Sequence, residues 1–263
     1  MDSTSLVITS RQNKTVKQLR ALSQTQKLRD QTKTTILDGI HLSQSYLASG
    51  RVPLTCLVNQ SGQSKAEISA ILSSLPSEVE IINLADDIFD TISPVKNSAG
   101  IALIINYGNN SAASSLSVDT VLLDRVQDPG NIGTILRSAV AADVKSVLLS
   151  PGCANVWSPQ TLRAGMGAQF QLDIYEAVDL KTAINNSQVP VYATSLQTSK
   201  SIYDIDLTQT SAWLFGNEGQ GVADDLLTAC TETVIIPQSA NIESLNVAMS
   251  ATVCLFEQVR QRQ

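Results

Sequence analysis

The run LLDRVQDPGNIGTILRSAVAADV, Leu122 to Val144, decides how the rest of the chain is read. A continuous apolar stretch enters a turn made of Asp128, Pro129, Gly130 and Asn131. A helix-like segment carrying one arginine, Arg137, leaves it. Strand, glycine turn and helix together build many nucleotide sites, because the N–H groups that open a helix face an anion. This spacing, however, matches neither G-x-G-x-x-G nor G-x-x-x-x-G-K-[ST]. What the turn holds, and why an arginine sits in the helix after it, must be found elsewhere in the chain.

Downstream, apolar runs alternate regularly with helical patterns. Strands are read at TVLLDRV, KSVLLS, FQLDIYEA, PVYATSL, AWLFG and ETVIIP. Helices are expected at 132–142, 159–165, 180–186 and 223–230, with a long last one from about Ser244 to Arg262. The strands are apolar throughout rather than alternating, as strands buried on both faces are. This predicts an α/β domain with a mostly parallel, doubly wound sheet and its ligands at the carboxyl ends of the strands. Upstream, YGNNSAASSLS (Tyr107 to Ser117) has the composition of a linker. The expected division is therefore residues 1–107, a linker at 108–117, and residues 118–263. The first part reads as a smaller α/β module. A helix over NKTVKQLRALSQTQKLRDQ places Val16, Leu19 and Leu22 on one face and bases on the other.

Composition narrows the function classes. The 263 residues are 43% apolar, and no apolar run approaches the ~20 residues of a membrane span. The first residues have no signal-peptide core, so a cytoplasmic protein is expected. Cys56, Cys153, Cys230 and Cys254 are scattered and fit reduced thiols better than disulfides or zinc. His41 is the single histidine, taken as structural, which argues against a His-based triad or a metal site. The net charge of −6 hides an asymmetry: residues 1–51 carry +5 and the remainder −11. A basic end of this kind is either a solvated helix face or a module that meets a polyanion.

Three strand-end loops carry the candidate chemistry: QDPGNIGTILR, GNEGQGV and PQSANIESLNV. Together they resemble the signature motifs of the SpoU/TrmH family of RNA 2′-O-ribose methyltransferases, of the SPOUT class. Asn131, Gly133 and Arg137 stand for the first motif, Gly216 to Gly221 for the second, and Ile236, Pro237, Ser244, Leu245, Asn246 and Val247 for the third. ITSRQNKTVKQLRAL and ILDGIHLSQSYLASG are similar to the family's auxiliary RNA-binding domain, itself like a ribosomal-protein fold. A Rossmann oxidoreductase would need G-x-G-x-x-G in the opening loop, and a binding-only relative would have lost Arg137, Asn131, Glu218 or Asn246; all four are present.

The resemblance implies a trefoil-knotted, Rossmann-like sheet and a homodimer packed through the knot and the last helix. It implies methyl transfer from S-adenosylmethionine (SAM) to a ribose hydroxyl of RNA, with ribosomal (23S) RNA favoured over transfer RNA and no metal. Arg137 would hold the hydroxyl and stabilise the developing alkoxide. Asn131 would cap its helix or orient substrate or arginine; Glu218 would pair with Arg137 or Asn131. Ser244 and Asn246 would reach the reacting centre or brace the last helix. Main-chain contacts to SAM fall by motif position on Gly216, Ile236 and Leu245, with Thr194 and Leu196 beside them. Arg163 is either a candidate RNA contact across a dimer interface or part of a surface salt bridge, and Arg11 and Lys14 are candidate RNA contacts of the basic N-terminal part. The third motif departs from the usual I-P-M-x-G at Gln238 and Ala240.

Overall fold

The computed structural model describes residues 6–108, 116–239 and 241–263. Most of the expected linker and Ala240 lie outside the described residues. In chain order the elements are β1 Val7–Ile8, α1 Lys14–Gln24, α2 Gln26–Thr32, β2 Thr34–Asp38, α3 Ile40–Ala48, β3 Thr55–Asn59, α4 Gln60–Gln63, α5 Ala66–Ser74, β4 Glu80–Leu84, α6 Asp86–Ile92 and β5 Ile101–Asn106. They continue with β6 Thr120–Leu123, α7 Pro129–Ala141, β7 Ser146–Leu149, α8 Pro159–Gly165, β8 Asp173–Tyr175, α9 Leu180–Asn185, β9 Val191–Thr194, β10 Ala212–Phe215, α10 Asp224–Ala229, β11 Glu232–Val234 and α11 Val247–Gln261.

The chain forms two compact units. The first holds the residues up to Gly108 together with Trp157–Phe170. Its sheet runs β1-β4-β3-β5-β2, with β5 antiparallel to both neighbours and the other pairs parallel. Val16, Leu19 and Leu22 of α1 meet Ile88, Phe89 and Ile92 of α6 over Ile36, Leu57 and Leu84 of the sheet. Burying each such side chain contributes ~1.5–3 kcal/mol. The single basic helix expected here is broken at Thr25, whose backbone is extended (φ −119°, ψ 112°). The break has a purpose. Arg29 of α2 turns back, buried, and its guanidinium donates to the carbonyls of Leu22 (3.0 Å) and Ser23 (3.3 Å) at the end of α1. A cation at a helix C-terminus is favourable, and one of the eight Lys and Arg residues within residues 1–51 is thereby withdrawn from the surface.

The stretch Trp157–Phe170 departs from the expected division, because it packs with the first unit. The Thr35 hydroxyl donates to the Trp157 carbonyl (2.8 Å). Tyr107 stacks on the Trp157 ring at 5.1 Å, and Tyr46 meets Phe170 edge-on at 5.1 Å. Ser158 caps α8, accepting from the Thr161 N–H (3.1 Å), with Pro159 at the first helical position.

The second unit is the parallel sheet read from the sequence, ordered β11-β9-β10-β6-β7-β8. Every residue of β6, β7 and β10 is buried. On one face Leu122, Leu148, Ala193 and Leu214 pack with Leu180, Ala183 and Leu226 of α9 and α10. On the other, Gln258 of α11 accepts from the Trp213 indole N–H (2.9 Å) and the Ser211 hydroxyl (3.0 Å). The chain leaves β6 in one direction to build β7 and β8, then returns to place β10 on β6's other side. Such a reversal of strand order opens a crevice at the carboxyl ends. Leu123 pairs with Phe215 and the Asp124 N–H donates to the Phe215 carbonyl (2.8 Å), so the loops after β6 and β10 start at one level.

Candidate active site

Helix α7 begins at Pro129, three residues earlier than expected. The cap is Asp128, not Asn131: its Oδ1 accepts from the Asn131 N–H at 2.7 Å. That assignment frees the Asn131 side chain for longer-range work. Its Nδ2 donates to Glu218 Oε1 (2.9 Å), and its Oδ1 accepts from Asn246 Nδ2 (3.0 Å). Asn246 is itself the cap of α11, its Oδ1 accepting from the N–H groups of Ala248 (2.9 Å) and Met249 (3.3 Å). The three motif loops are therefore joined by one directional chain of hydrogen bonds. A carboxylate can only accept, so it orients the Asn131 amide, which in turn orients Asn246.

Glu218 also accepts from the N–H groups of Gln127 (3.3 Å) and Asp128 (3.2 Å). Partial burial works against its charged form. The bonds from Asn131 and from the main chain outweigh that and hold its pKa below the usual glutamate value. The loop that carries it is stiff for its glycine content. Asn217 and Gly221 exchange main-chain bonds (3.0 and 2.9 Å), and Asn217 Oδ1 accepts from the N–H groups of Gly219 and Gln220. A Cβ on Gly216 would lie 2.2 Å from the Gly221 carbon and the Val222 nitrogen, so only glycine permits this closure.

Beside this chain lies a cavity of about 550 Å³, bounded by the ends of β9, β10 and β11 and the approach to α11. This is the size of an ordinary small-molecule site, ~300–1,000 Å³. All five expected cofactor residues, Thr194, Leu196, Gly216, Ile236 and Leu245, line it, as do Glu218, Ser244, Asn246 and Gln238. Among the described residues, the N–H groups of Ile236 and Leu245 have no hydrogen-bond partner, which leaves them available to a ligand. The charged residues of the lining are Glu218 and Asp224. A cationic ligand with polar edges suits such walls.

Arg137, Arg163, Arg11, Lys14 and His41 lie outside the cavity lining. Arg137 is exposed on α7 and makes no hydrogen bond or ion pair among the described residues. At 100° per residue it projects about 120° around the helix from Asn131. Glu218 therefore pairs with Asn131 rather than with Arg137. Ser244 is exposed at the cavity and does not cap α11. Arg163 is exposed on α8, within the first unit, where its charge acts on Asp38. Arg11 meets Asp87 at 3.6 Å, an exposed pair, while Lys14 is exposed at the start of α1. His41, expected to be structural, is exposed on α3. Asp128 carries no signal in the three motifs, yet Asp128-Pro129 is the same cap-and-N1 pair as Ser158-Pro159.

Residues 119–256 match the SpoU rRNA Methylase family, over half of the chain. The chain belongs to that family. Residues 13–102 of this SpoU methylase match the MRM3-like substrate binding domain. It is 32% identical over 261 residues to an uncharacterized tRNA/rRNA methyltransferase of Synechocystis, covering 97% of this chain and 94% of that one. It is 30% identical over 252 residues to the 23S rRNA (guanosine(2553)-2′-O)-methyltransferase RlmP of Bacillus subtilis, covering 95% and 97%. The crystal structure of an AdoMet-bound rRNA methyltransferase from Sinorhizobium meliloti superposes with a TM-score of 0.82 at 27% identity, over 98% of each chain.

Proposed function

We propose that the protein transfers the methyl group of SAM to a ribose 2′-hydroxyl of 23S ribosomal RNA. The observation that carries this reading is the Glu218–Asn131–Asn246 chain on the edge of a cavity walled by the second and third motifs. When bound, SAM supplies a methyl group activated by its sulfonium. Ile236 and Leu245 would hold it through the main chain, Gly216 leaves room for it, and the acidic walls favour its positive charge. In the transfer, a bond forms between the ribose oxygen and the methyl carbon as the carbon–sulfur bond breaks, and the hydroxyl proton is lost. A guanidinium is a poor proton acceptor and a good hydrogen-bond donor, and Arg137 takes the donor's part. It donates to the ribose oxygen and stabilises negative charge developing there, and the proton passes to an RNA phosphate or to water. The Asn131 amide, fixed from both sides, sets the helix from which Arg137 projects.

Ribosomal RNA is favoured over transfer RNA by the MRM3-like match of the N-terminal part and by relatives named for 23S rRNA. Arg11 and Lys14, with Arg163, are the RNA contacts of this reading. The enzyme works as a homodimer with a knotted catalytic domain. Supporting the dimer, α11 exposes Met249 and Phe256, seven residues apart and so on one face. No helix among the described residues is long and apolar enough to cross a membrane, and we place the enzyme with its substrate in the cytoplasm. The test is a ribose-methylation map of cellular RNA with and without the gene. Loss of a single 2′-O-methyl in 23S rRNA is expected; an unchanged map, or a loss confined to transfer RNA, refutes the assignment.

A further inference from the structure

The loop after β10 is gripped from the end of β6. Arg125, the second residue past β6, adopts φ 51°, a left-handed conformation that costs an L-residue ~1–2 kcal/mol. Such strain persists where surrounding contacts over-determine it, and here they do. Nε and one Nη of Arg125 donate to the two carboxylate oxygens of Asp124 (3.0 and 2.9 Å). The other Nη donates to Gln220 Oε1 (2.9 Å). The Arg125 N–H donates to the Ser150 hydroxyl oxygen (2.9 Å), and its carbonyl accepts from Asn217 Nδ2 (2.8 Å). Asp124, 3% exposed, also accepts from the Ala223 N–H (3.1 Å). The dipeptide thus holds the loop at its entry (Asn217), its crown (Gln220) and its exit (Ala223).

We propose that Arg125 is a positioning residue for the donor cavity: its guanidinium, locked to Asp124, holds Gln220 and so keeps the Gly216–Val222 wall in the shape that binds SAM. The proposal rests on the reading of that cavity as the SAM site. Gln220 lines the cavity, whereas Arg125 and Asp124 do not, so the effect of Arg125 passes through the glutamine. The loop's own hydrogen bonds fix its main chain, whereas the Gln220 side chain on the cavity wall is held, among the described residues, by Arg125. Ordering it before the ligand arrives removes a cost that binding must otherwise meet. Glycine at 125 would accept φ 51° freely yet offer no link to the crown. Lysine would supply the charge but not the planar fork that serves Asp124 and Gln220 together.

The experiment is calorimetric SAM binding to the full chain as wild type, R125G, R125K, Q220A and R125G/Q220A, with initial rates measured against both SAM and RNA. R125G is expected to weaken SAM about tenfold, ~1.4 kcal/mol, with KM for SAM following. At saturating SAM, kcat and the KM for RNA stay within about twofold of wild type, the split expected of a group that acts on donor binding alone. R125K does not rescue, and R125G/Q220A binds no more weakly than R125G, because both changes remove one contact. Q220A alters no special backbone position and tests the same contact independently of how R125G folds. SAM affinity in both single variants within about twofold of wild type overturns the proposal. So does a change confined to the KM for RNA, which would make Arg125 a substrate contact, or strict additivity in the double variant. A wild-type chain that binds no SAM refutes the donor-site reading itself.

Discussion

Replacing Asn131 by aspartate keeps the side chain's shape and reverses one polarity. The Nδ2 that donates to Glu218 at 2.9 Å becomes a carboxylate oxygen facing another. Two unit charges at that spacing repel by ~1.4 kcal/mol in water and by ~6 kcal/mol at an effective dielectric of 20. Glu218 is exposed, so the lower end applies. The lost charge-assisted hydrogen bond adds ~1.5 kcal/mol. The sum, about 3 kcal/mol, predicts a roughly hundredfold loss in any step that needs the three loops aligned. The pH dependence supplies a second signature. Glu218 has a lowered pKa in the native protein, so its contribution is full above the ordinary glutamate value and is lost as pH falls through the lowered one. In Asn131→Asp the paired carboxylates take up a proton as pH falls and regain a hydrogen bond, so the variant's deficit shrinks on acidification. Transfer of labelled methyl from SAM to an rRNA transcript, measured between about pH 8 and pH 5 alongside thermal unfolding, reads both effects. Wild-type rates near neutrality, or a deficit constant across that range, would refute the reasoning.

Arg137→Ala should leave the melting curve within ~0.5 kcal/mol of wild type, since the side chain has no partner among the described residues, while methyl transfer falls by about 10²-fold. Arg137→Lys should not restore it, and transfer by either variant at the native rate rejects the assigned role. Gly216→Ala forces a Cβ to within 2.2 Å of two main-chain atoms, so a destabilisation of ~1–3 kcal/mol and loss of calorimetric SAM binding are expected. Native affinity with an unchanged melting point contradicts that. Gln258→Ala leaves the Trp213 indole and the Ser211 hydroxyl without their acceptor under the sheet, and denaturant unfolding should register ~2–4 kcal/mol. A loss below ~1 kcal/mol shows that the site rehydrates.

The catalytic sheet was legible because its strands are short, apolar on both faces and separated by helical patterns, so each run from TVLL to ETV reads without ambiguity. Their order was not, since nothing in the run AWLF says that it inserts between β9 and β6. Helix starts were legible where cap chemistry was heeded, as at Ser158, and misplaced by three residues where Asp128-Pro129 was read only as a turn. The resemblance of the three loops named Gly216, Ile236 and Leu245, which line the cavity, but it did not give the hydrogen bonds that join the loops. Whether Glu218 meets Arg137 or Asn131 depends on the helical phase of α7 and the register of β6 with β10, which are properties of the packed sheet. Arg29 shows the same limit. A base in a basic helix looks like surface until the chain breaks at Thr25 and folds it inward.

The stretch Trp157–Phe170 ties the order of folding to the order of synthesis. The first unit needs it: Thr35, Tyr107 and Tyr46 all find partners there. As the chain leaves the ribosome, the N-terminal sheet can assemble once Asn106 has emerged, but its packing waits for Phe170. By then β6, α7 and β7 have also appeared and await the strands that complete their own sheet. The two units therefore mature in overlapping rather than successive steps. A shortened protein ending at Gly108 would lack the piece that packs with Thr35, Tyr46 and Tyr107.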